Sequence, residues 1–415
     1  MIMEKKLYEQ LNPTKQAWVD ETIGKIEKKM KMVSERSAEK LPMAAINGVH
    51  NNKLDDQGPA AMGKGFWTNG FWAGLMWQMY HLTGEERYAE IARFTQPILD
   101  STLTEQYTHD LGFLWLPSAT ADFKLTGNQT ALGSSVAAAS WLAGRFNPGG
   151  NYIRAWGCFN EAFKTGIPGE GEINTIGVTI IDCMMNLPLL YWASDVTKDP
   201  RFAFIAKKHA DKTMQYHIRE DGSVVHIVEF NPETGEYVKE FGGQGYANGS
   251  AWARGQAWAI YGFTASYIHT GEQKYLETAQ KAASFFISQI PENGLIPEDF
   301  RQPAEPWVQD DIAAGCAASG LLELVGLDTV SSEDKEKYLA AALKILQAID
   351  EKSADWSTET DGITLNGSTA YHLPGKNMNY TYGDYYFVEA VLKLKGLAAY
   401  IWKNNSYTGL AEKRG

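Results

Sequence analysis

A repeated helix-turn-helix pattern is the feature that most constrains the fold of this 415-residue chain. Its clearest copies cover residues 70–88 and 252–275, where an apolar helix is followed by a short polar turn and a second helix that starts near a tyrosine. At the turns, Gly84 and Gly271 allow the first helix to end in a left-handed conformation, and the acidic residues that follow favour the start of the next helix. The pattern predicts antiparallel helical hairpins.

Weaker copies, together with one helix predicted near each end of the chain, raise the expected total to about twelve helices in six pairs. These weaker segments are residues 125–129, 196–202 and 331–338, and the terminal helices are 14–34 and 383–402. About six hairpins can close into a ring of inner and outer helices, which buries both ends of the stack. We therefore predict an all-α fold, an (α/α)6 barrel that forms a single catalytic domain over residues 1–415.

The inner helices are expected to carry apolar, small and aromatic residues, and to begin near Gly70, Gly177, Ser250 and Gly315. Two short β-hairpins are predicted outside the ring. One covers residues 223–230 with its turn at 231–236, and the other has an Asn-Gly turn at 366–367.

Composition narrows the range of partners and compartments. The 50 acidic and 38 basic residues give a net charge of -12, which argues against a nucleic-acid surface. Cys158, Cys183 and Cys316 are far apart and form no CxxC pair, as expected in a reducing compartment. The N-terminus has no secretory pattern, and the most apolar run is interrupted by polar residues. We predict a soluble, cytoplasmic protein without a membrane or nucleic-acid partner, and leave the oligomeric state open.

Asp182 is the only formally charged residue of the apolar segment 177–193. A carboxylate among apolar residues loses hydration, which favours its protonated form and makes Asp182 a candidate catalytic acid. Asn186 lies four residues further on, and Pro188 predicts a kink that would hold this polar pair at the floor of a cavity. The alternative is a structural acid paired with an arginine or with backbone donors.

Asp110 precedes a new helical pattern, where an aspartate is often a helix N-cap. The same position would direct its carboxyl group toward the ring axis. With Asp182 it would then supply the two carboxyl groups that proton transfer to and from a sugar requires.

Arg254 and Trp258 lie four residues apart and share a helix face. The guanidinium could bind a substrate carboxylate through two hydrogen bonds, and the indole could stack against a sugar ring, although a single Trp is more often a core residue. The 13 tryptophans together favour a carbohydrate ligand. Because the sequence has neither metal-ligand spacing nor a nucleotide-binding glycine motif, we expect no metal and no cofactor.

Several blocks of the sequence together resemble the unsaturated glucuronyl hydrolases of glycoside hydrolase family 88. They occur in the family's order from about residue 40 onward, at residues 67–72, 109–113, 155–157, 180–192, 252–258 and 383–386. The resemblance implies an α/α six-hairpin barrel. It also implies hydrolysis of the short oligosaccharides that polysaccharide lyases leave behind, which end in a uronic acid with a C4=C5 double bond.

The resemblance further implies that Asp110 and Asp182 are the catalytic aspartates. In this interpretation Asp182 protonates C4 and activates the water that adds to C5, while Asp110 orients the substrate and stabilises the developing cation. The implied substrate contacts are Trp67, His109, Trp156, His226, Gln244, Trp252, Arg254, Trp258, Tyr371 and His372. Among them Arg254, Gln244 and His226 are expected to hold the uronate, at a cavity mouth that is locally basic or neutral.

Three other functions remain compatible with the sequence. An unsaturated rhamnogalacturonyl hydrolase of family 105 shares the fold and the chemistry. A sugar epimerase on the same barrel would use histidines as its acid and base. A non-catalytic sugar-binding protein would keep its only activity when Asp182 is replaced.

Overall fold

The computed structural model describes residues 4–56, 63–105, 107–157, 162–163, 167 and 170–403. The α-helices are the most numerous of the described elements and are numbered here in chain order. They are α1 (Glu4–Gln10), α2 (Pro13–Arg36), α3 (Gly70–Thr83), α4 (Glu86–Asp100), α5 (Leu111–Trp115), α6 (Ala121–Thr126), α7 (Gln129–Ala143), α8 (Leu187–Thr197), α9 (Pro200–His217), α10 (Ala253–Thr270), α11 (Gln273–Ser288), α12 (Asp311–Val325), α13 (Ser332–Lys352) and α14 (Thr381–Lys395).

The helices form a closed double ring. Inner helices α3, α5, α8, α10, α12 and α14 contact one another in that order, and α14 returns to α3. A π-helical turn, Leu116–Thr120, joins α5 to α6, so that these two helices act as one inner position. Each inner helix packs on the outer helix that follows it, and α14 packs on α2, which joins the two ends of the chain. The predicted (α/α)6 barrel is confirmed.

Burial separates the two layers. Helix α12 buries every residue from Asp311 to Leu324, as expected for a helix surrounded by neighbours on all sides. Helix α11 instead buries a stripe at helical spacing, including Tyr275, Ala279, Ala282 and Phe286, and presents its other face to solvent. A helix that is buried on all faces therefore belongs to the inner ring, and a helix with one buried stripe belongs to the outer ring.

One inner segment differs from its prediction. The segment expected to start a helix at Gly177 instead forms strand Val178–Ile180 and the 3₁₀-helix Ile181–Met185, and α8 begins only at Leu187. Pro188 lies in the first turn of α8, where its missing N–H would have no helical partner anyway. The predicted kink is therefore wrong, and Asp182 lies on a tight turn between a strand and a helix.

The strands are short and lie in four small sheets among the described residues. They are β1 (Ala44–Ile46), β2 (Val49–His50), β3 (Phe146–Asn147), β4 (Tyr152–Ile153), β5 (Ala162–Phe163), β6 (Ile173–Asn174), β7 (Val178–Ile180), β8 (Ile227–Phe230), β9 (Tyr237–Phe241) and β10 (Asn379–Tyr380).

The first predicted hairpin is confirmed, because β8 and β9 pair antiparallel on either side of the predicted turn, with β7 on the other edge of β8. The second hairpin is wrong. Gly367 makes only an isolated bridge to Met378, and β10 pairs with β1 from the opposite end of the sequence. This long-range pairing left no local signal.

The largest cluster of buried apolar residues extends from Leu11 to Trp402. A continuous core of this extent supports a single domain, which stays a prediction. Within the described residues, no helix is both long enough and apolar enough to cross a membrane. Cys183 and Cys316 are buried free thiols, whereas Cys158 lies outside the described residues.

Candidate active site

A cavity of about 400 Å³ opens at the end of the barrel where inner helices begin. Its walls come mainly from segments that precede α3, α5, α8 and α14, and from loops around residues 243 and 369. The lining residues are Met43, Phe66, Trp67, Thr68, His109, Asp110, Trp156, Ile180, Asp182, His226, Ile227, Gly243, Gln244, Thr369, Ala370, Leu373, Tyr380 and Tyr382.

Asp110 occupies the N-cap position of α5 but makes no side-chain capping bond. Its Oδ2 instead accepts a hydrogen bond of 2.5 Å from the Thr108 hydroxyl, and its Oδ1 accepts one of 3.3 Å from Asn186 Nδ2. The Nε2 atom of His109 lies 3.3 Å from the same Oδ1. The side chain is thus held in the cavity wall rather than used to cap the helix.

Burial raises the pKa of Asp110. The neighbouring His109 opposes this effect, Asp182 adds to it, and the bonds from Thr108 and Asn186 lower the pKa again. Burial also lowers the pKa of His109, which Asp110 only partly offsets. His109 is therefore a neutral ring near neutral pH, and its Nδ1 has no hydrogen-bond partner among the described residues.

Asp182 and His226 lie next to each other in the lining of the cavity. Its Oδ2 lies 3.5 Å from His226 Nε2 and has no hydrogen-bond partner among the described residues. The Nδ1 atom of His226 accepts a hydrogen bond of 2.9 Å from the main-chain N–H of Gln244. Because Nδ1 accepts this bond, Nε2 is the ring nitrogen that carries a hydrogen, and it is the nitrogen nearest to Asp182, although the two groups form no hydrogen bond at 3.5 Å.

The carboxyl group of Asp182 lies at the boundary between the apolar core and the cavity. Ile181 and Cys183 are fully buried in the core, whereas Asp182 is partly exposed and lines the cavity. Its Oδ2 is nevertheless buried and only 13% of the side chain is exposed, so the expected desolvation of this group stays a prediction. No arginine or backbone N–H of the described chain bonds its Oδ2, which argues against a purely structural acid.

Trp67 and Trp156 are half-buried and line the cavity, as predicted for sugar-stacking residues. The Trp67 ring packs against Phe113 and Tyr382, with centroids 5.3 and 5.0 Å away. Such contacts hold the indole in place and leave part of its surface available to a ligand.

Gln244 lines the cavity and connects two of its loops. Its side-chain Nε2 donates a hydrogen bond of 2.6 Å to the carbonyl of Thr369. Its main-chain carbonyl accepts a hydrogen bond of 2.9 Å from the Tyr371 N–H. The main-chain N–H of Gln244 is the group that orients His226. The amide oxygen is left as the part of the side chain that can reach a substrate.

Arg254 does not line the cavity, which corrects its predicted role as a direct ligand of the uronate. It is buried and forms an ion pair with Asp310, and it donates to the carbonyls of Ser368 and Thr369 at 2.7 and 2.8 Å. Burial opposes its charge, but Asp310 and Tyr382 outweigh burial and raise the pKa of Arg254. Through these two hydrogen bonds the guanidinium holds the loop that contains Ser368 and Thr369.

Trp252 and Trp258 also lie outside the cavity lining. The Trp258 ring is fully buried and packs against Phe113 and Tyr386, with centroids 5.1 and 5.6 Å away. The Trp252 ring lies beneath His226, 4.3 Å between centroids, and its Nε1 donates to Glu298. Both were predicted as substrate contacts, and both belong to the layer that supports the cavity.

Tyr371 and His372 lie next to the lining residues Ala370 and Leu373 but do not line the cavity themselves. Tyr371 is buried against Tyr246, and His372 Nε2 lies 2.6 Å from the Tyr246 carbonyl. The structure therefore places them at the rim, as residues that hold two loops together.

Several lining residues were not predicted. Thr68, Tyr380 and Tyr382 enter the cavity beside predicted residues, at the starts of α3 and α14. Thr68 follows Trp67, and Tyr382 precedes the block at 383–386. Their position beside these blocks could have indicated that they line the cavity. Neither Lys nor Arg occurs in the described lining, so the expected basic character is not supplied by side chains.

Comparisons with known proteins agree with this geometry. The sequence pattern of Glycosyl Hydrolase Family 88 matches residues 29–403. The chain is 36% identical over 343 residues to the unsaturated glucuronyl hydrolase of Bacillus sp. strain GL1, covering 80% of this chain and 88% of that protein. It is 31% identical to the unsaturated chondroitin disaccharide hydrolase of Streptococcus pyogenes serotype M1, covering 79% and 80% of the two chains.

The fold comparison gives the same result. The crystal structure of the unsaturated glucuronyl hydrolase from Bacillus sp. GL1 superposes with a TM-score of 0.82 at 32% identity, covering 94% of this chain and all of the other. The barrel and its carboxylate-bearing cavity define a glycoside hydrolase. The chain belongs to Glycosyl Hydrolase Family 88.

Proposed function

We propose that this enzyme hydrolyses unsaturated glucuronyl disaccharides and short oligosaccharides, the products of polysaccharide lyases, by hydrating the C4=C5 bond of the terminal uronate. The observation that carries the proposal is the meeting of Asp110 and Asp182 in one cavity with two half-buried tryptophans. The names of the relatives support the substrate class. Membership of family 88 favours this activity over a family 105 hydrolase, an epimerase or a binding protein.

The reaction follows from the electronic structure of the substrate. The unsaturated uronate is a vinyl ether, so a proton added to C4 leaves positive charge on C5 and the ring oxygen. Water then adds to C5 and loses a proton, which gives a hemiketal. Opening of the hemiketal leaves a ketone at C5 and a hemiacetal at C1, and collapse of the latter expels the partner sugar and leaves an aldehyde.

Asp182 is proposed as the group that protonates C4 and then receives the proton of the water. Its carboxyl group has His226 Nε2 at 3.5 Å as its neighbour and no hydrogen bond to Oδ2, so it is free to exchange a proton with a ligand. His226 would hold the carboxyl group in position by donating from Nε2.

Asp110 is proposed to bind the sugar and to stabilise the cation at C5. Both of its oxygens accept hydrogen bonds from the protein, which restrains the side chain and stabilises its anionic form. A restrained anion suits electrostatic stabilisation better than it suits repeated proton transfer.

Trp67, Trp156, His109 and Gln244 are proposed as the substrate contacts at the cavity wall. The remaining predicted contacts, Trp252, Arg254, Trp258, Tyr371 and His372, are proposed to act by supporting these residues and their loops.

The decisive experiment follows the absorbance of the conjugated acid in an unsaturated glucuronyl disaccharide, which disappears when C4=C5 is hydrated. Asp182→Asn is expected to reduce kcat by about 10²–10⁴-fold, the usual contribution of a proton-transferring group. Asp195→Asn, on the exposed surface of α8, is the matched control and should retain full turnover. Near-native kcat in Asp182→Asn rejects the proposed role. Release of partner sugar without loss of absorbance rejects the hydration mechanism.

The preferred glycan is a separate question. A panel of lyase-generated disaccharides from chondroitin, hyaluronan and heparin, differing in sulfation, would identify it through kcat/KM. A cytoplasmic location is proposed from cysteine usage, with Cys183 and Cys316 as buried free thiols. Fractionation of the source cells tests this location.

A further inference from the structure

Asn186 lies between the two candidate catalytic aspartates and is fully buried. Its main chain joins the turn that carries Asp182 to helix α8, because its N–H donates to Cys183 and its carbonyl accepts from Leu189. Its side chain crosses to the other aspartate. Nδ2 donates 3.3 Å to Asp110 Oδ1 and 3.2 Å to the main-chain carbonyl of Asp182.

The hydrogen-bond network fixes the orientation of this amide. The N–H of Phe113, in the first turns of α5, donates to Asn186 Oδ1 at 2.9 Å. Oδ1 must therefore face Phe113, and both hydrogens of Nδ2 must face the two acceptors on Asp110 and Asp182. If the amide were flipped, its NH2 group would face the Phe113 N–H, and its oxygen would face the acceptors on Asp110 and Asp182.

Close approach of the two segments depends on Gly112. A Cβ atom at Gly112 would lie 2.5 Å from Asn186 Cα and 2.7 Å from its Oδ1, closer than non-bonded atoms can pack. The glycine therefore lets the start of α5, with Asp110 next to it in the sequence, contact the turn that carries Asp182.

We propose that Asn186 is a positioning residue that holds the Asp110 carboxyl group ionised and at a fixed position relative to Asp182. The inference rests on the roles proposed above for the two aspartates. Asn186 does not itself line the cavity but contacts two residues that do, so it acts through the two aspartates.

The titratable groups that face Asp110 are His109, Asp182 and Cys183. Among the uncharged contacts, Thr108 and Asn186 donate to Asp110. If an ionised Asp110 is required, activity falls as the pH drops through its pKa. Loss of the Asn186 donor removes a bond that favours the anion, so the acidic limb of the pH profile should move to higher pH.

The test is the pH profile of kcat/KM for an unsaturated glucuronyl disaccharide. Asn186→Asp keeps an acceptor for the Phe113 N–H but turns an oxygen toward Asp110. Its acidic limb should move up by about one pH unit, and kcat on the acidic side should fall about tenfold. Asn186→Ala removes the donor without adding a charge. It should move the limb in the same direction by a smaller amount, and it replaces Asn186→Asp if that variant does not fold.

Gln256→Glu is the matched control. Gln256 is a fully buried amide on α10 that donates to the carbonyls of Gly222 and Ala282, away from the cavity lining. Its replacement should lower stability without moving the limb. An acidic limb that stays in place in both Asn186 variants, or moves equally in Gln256→Glu, overturns the inference. Wild-type protein that does not consume the disaccharide refutes the proposed function instead.

Discussion

Gly243 offers a direct test of whether the His226 ring must be held against Asp182. Its backbone adopts a φ of 63°, and it precedes Gln244, whose N–H donates to His226 Nδ1. A Cβ atom at Gly243 would lie 2.0 Å from His226 Nδ1 and 2.8 Å from its Cε1. Gly243→Ala therefore cannot be accommodated while the ring keeps its position.

The size of the effect follows from the contact distance. Non-bonded heavy atoms pack at about 3.5 Å, so the ring must move by about 1.5 Å or the loop must shift by a similar distance. A misplacement of about 1 Å in a catalytic group can cost about 10²-fold in rate. We expect kcat of Gly243→Ala to fall about 10²-fold, in addition to a backbone cost of about 1–2 kcal/mol for alanine in a left-handed conformation.

Gly249→Ala separates the two contributions. Gly249 lies in the same loop with a φ of 75°, and a Cβ atom there would meet no atom within 4 Å. It carries the same backbone cost without touching His226, so its kcat should remain near wild type in the absorbance assay. If both variants turn over at similar rates, the positioning of His226 by this loop is not important for catalysis.

Three further predictions concern the layer beneath the cavity and Asp110. Trp258→Ala should lower the free energy of unfolding by about 3–5 kcal/mol in urea titrations, because the ring is fully buried; a raised KM with unchanged stability would restore its role as a sugar platform. Arg254→Met should cost about 3–5 kcal/mol by leaving the Asp310 carboxyl group buried without its cation, and much of this should return in Arg254→Met/Asp310→Leu. Burial raises the pKa of Asp110 in the folded protein above its pKa in the unfolded chain. As the pH rises through the pKa of the unfolded chain, the wild type therefore loses stability relative to Asp110→Asn. The variant should therefore have the higher Tm at neutral pH, with the difference vanishing near pH 3; equal Tm values at both pH values would contradict the buried charge.

The barrel could be predicted because its signals are local. Glycines end the first helices of three hairpins in left-handed conformations, at Gly84, Gly127 and Gly271, where the sequence placed the turns. Apolar faces distinguish inner from outer helices in the same way. The paired aspartates were candidates from their local sequence, and the resemblance to a known family gave them their catalytic roles.

The errors come from contacts that local patterns do not report. Arg254 appeared free to bind a carboxylate because its partner Asp310 is 56 residues further along the chain. The segment at Gly177 appeared helical because pairing of β7 with β8 depends on residues about fifty positions away. Asp182 was expected among apolar groups only, because a sequence does not show that Ile180 and Asp182 line a cavity while Ile181 and Cys183 are buried in the core.

The barrel itself offers a positive field that would favour the proposed anionic substrate in an acidic protein. The described lining has two aspartates and neither Lys nor Arg, in a chain with a net charge of -12. Yet the inner helices α3, α5 and α14 begin next to lining residues of this cavity, and a helix start carries a partial positive charge of roughly half a unit. That field falls off within about one helical turn, so it acts inside the cavity, whereas surface charges are screened beyond about 8 Å at physiological salt. The helix starts therefore act on a bound uronate at closer range than the net charge of the surface, and they oppose the charge of the two lining aspartates.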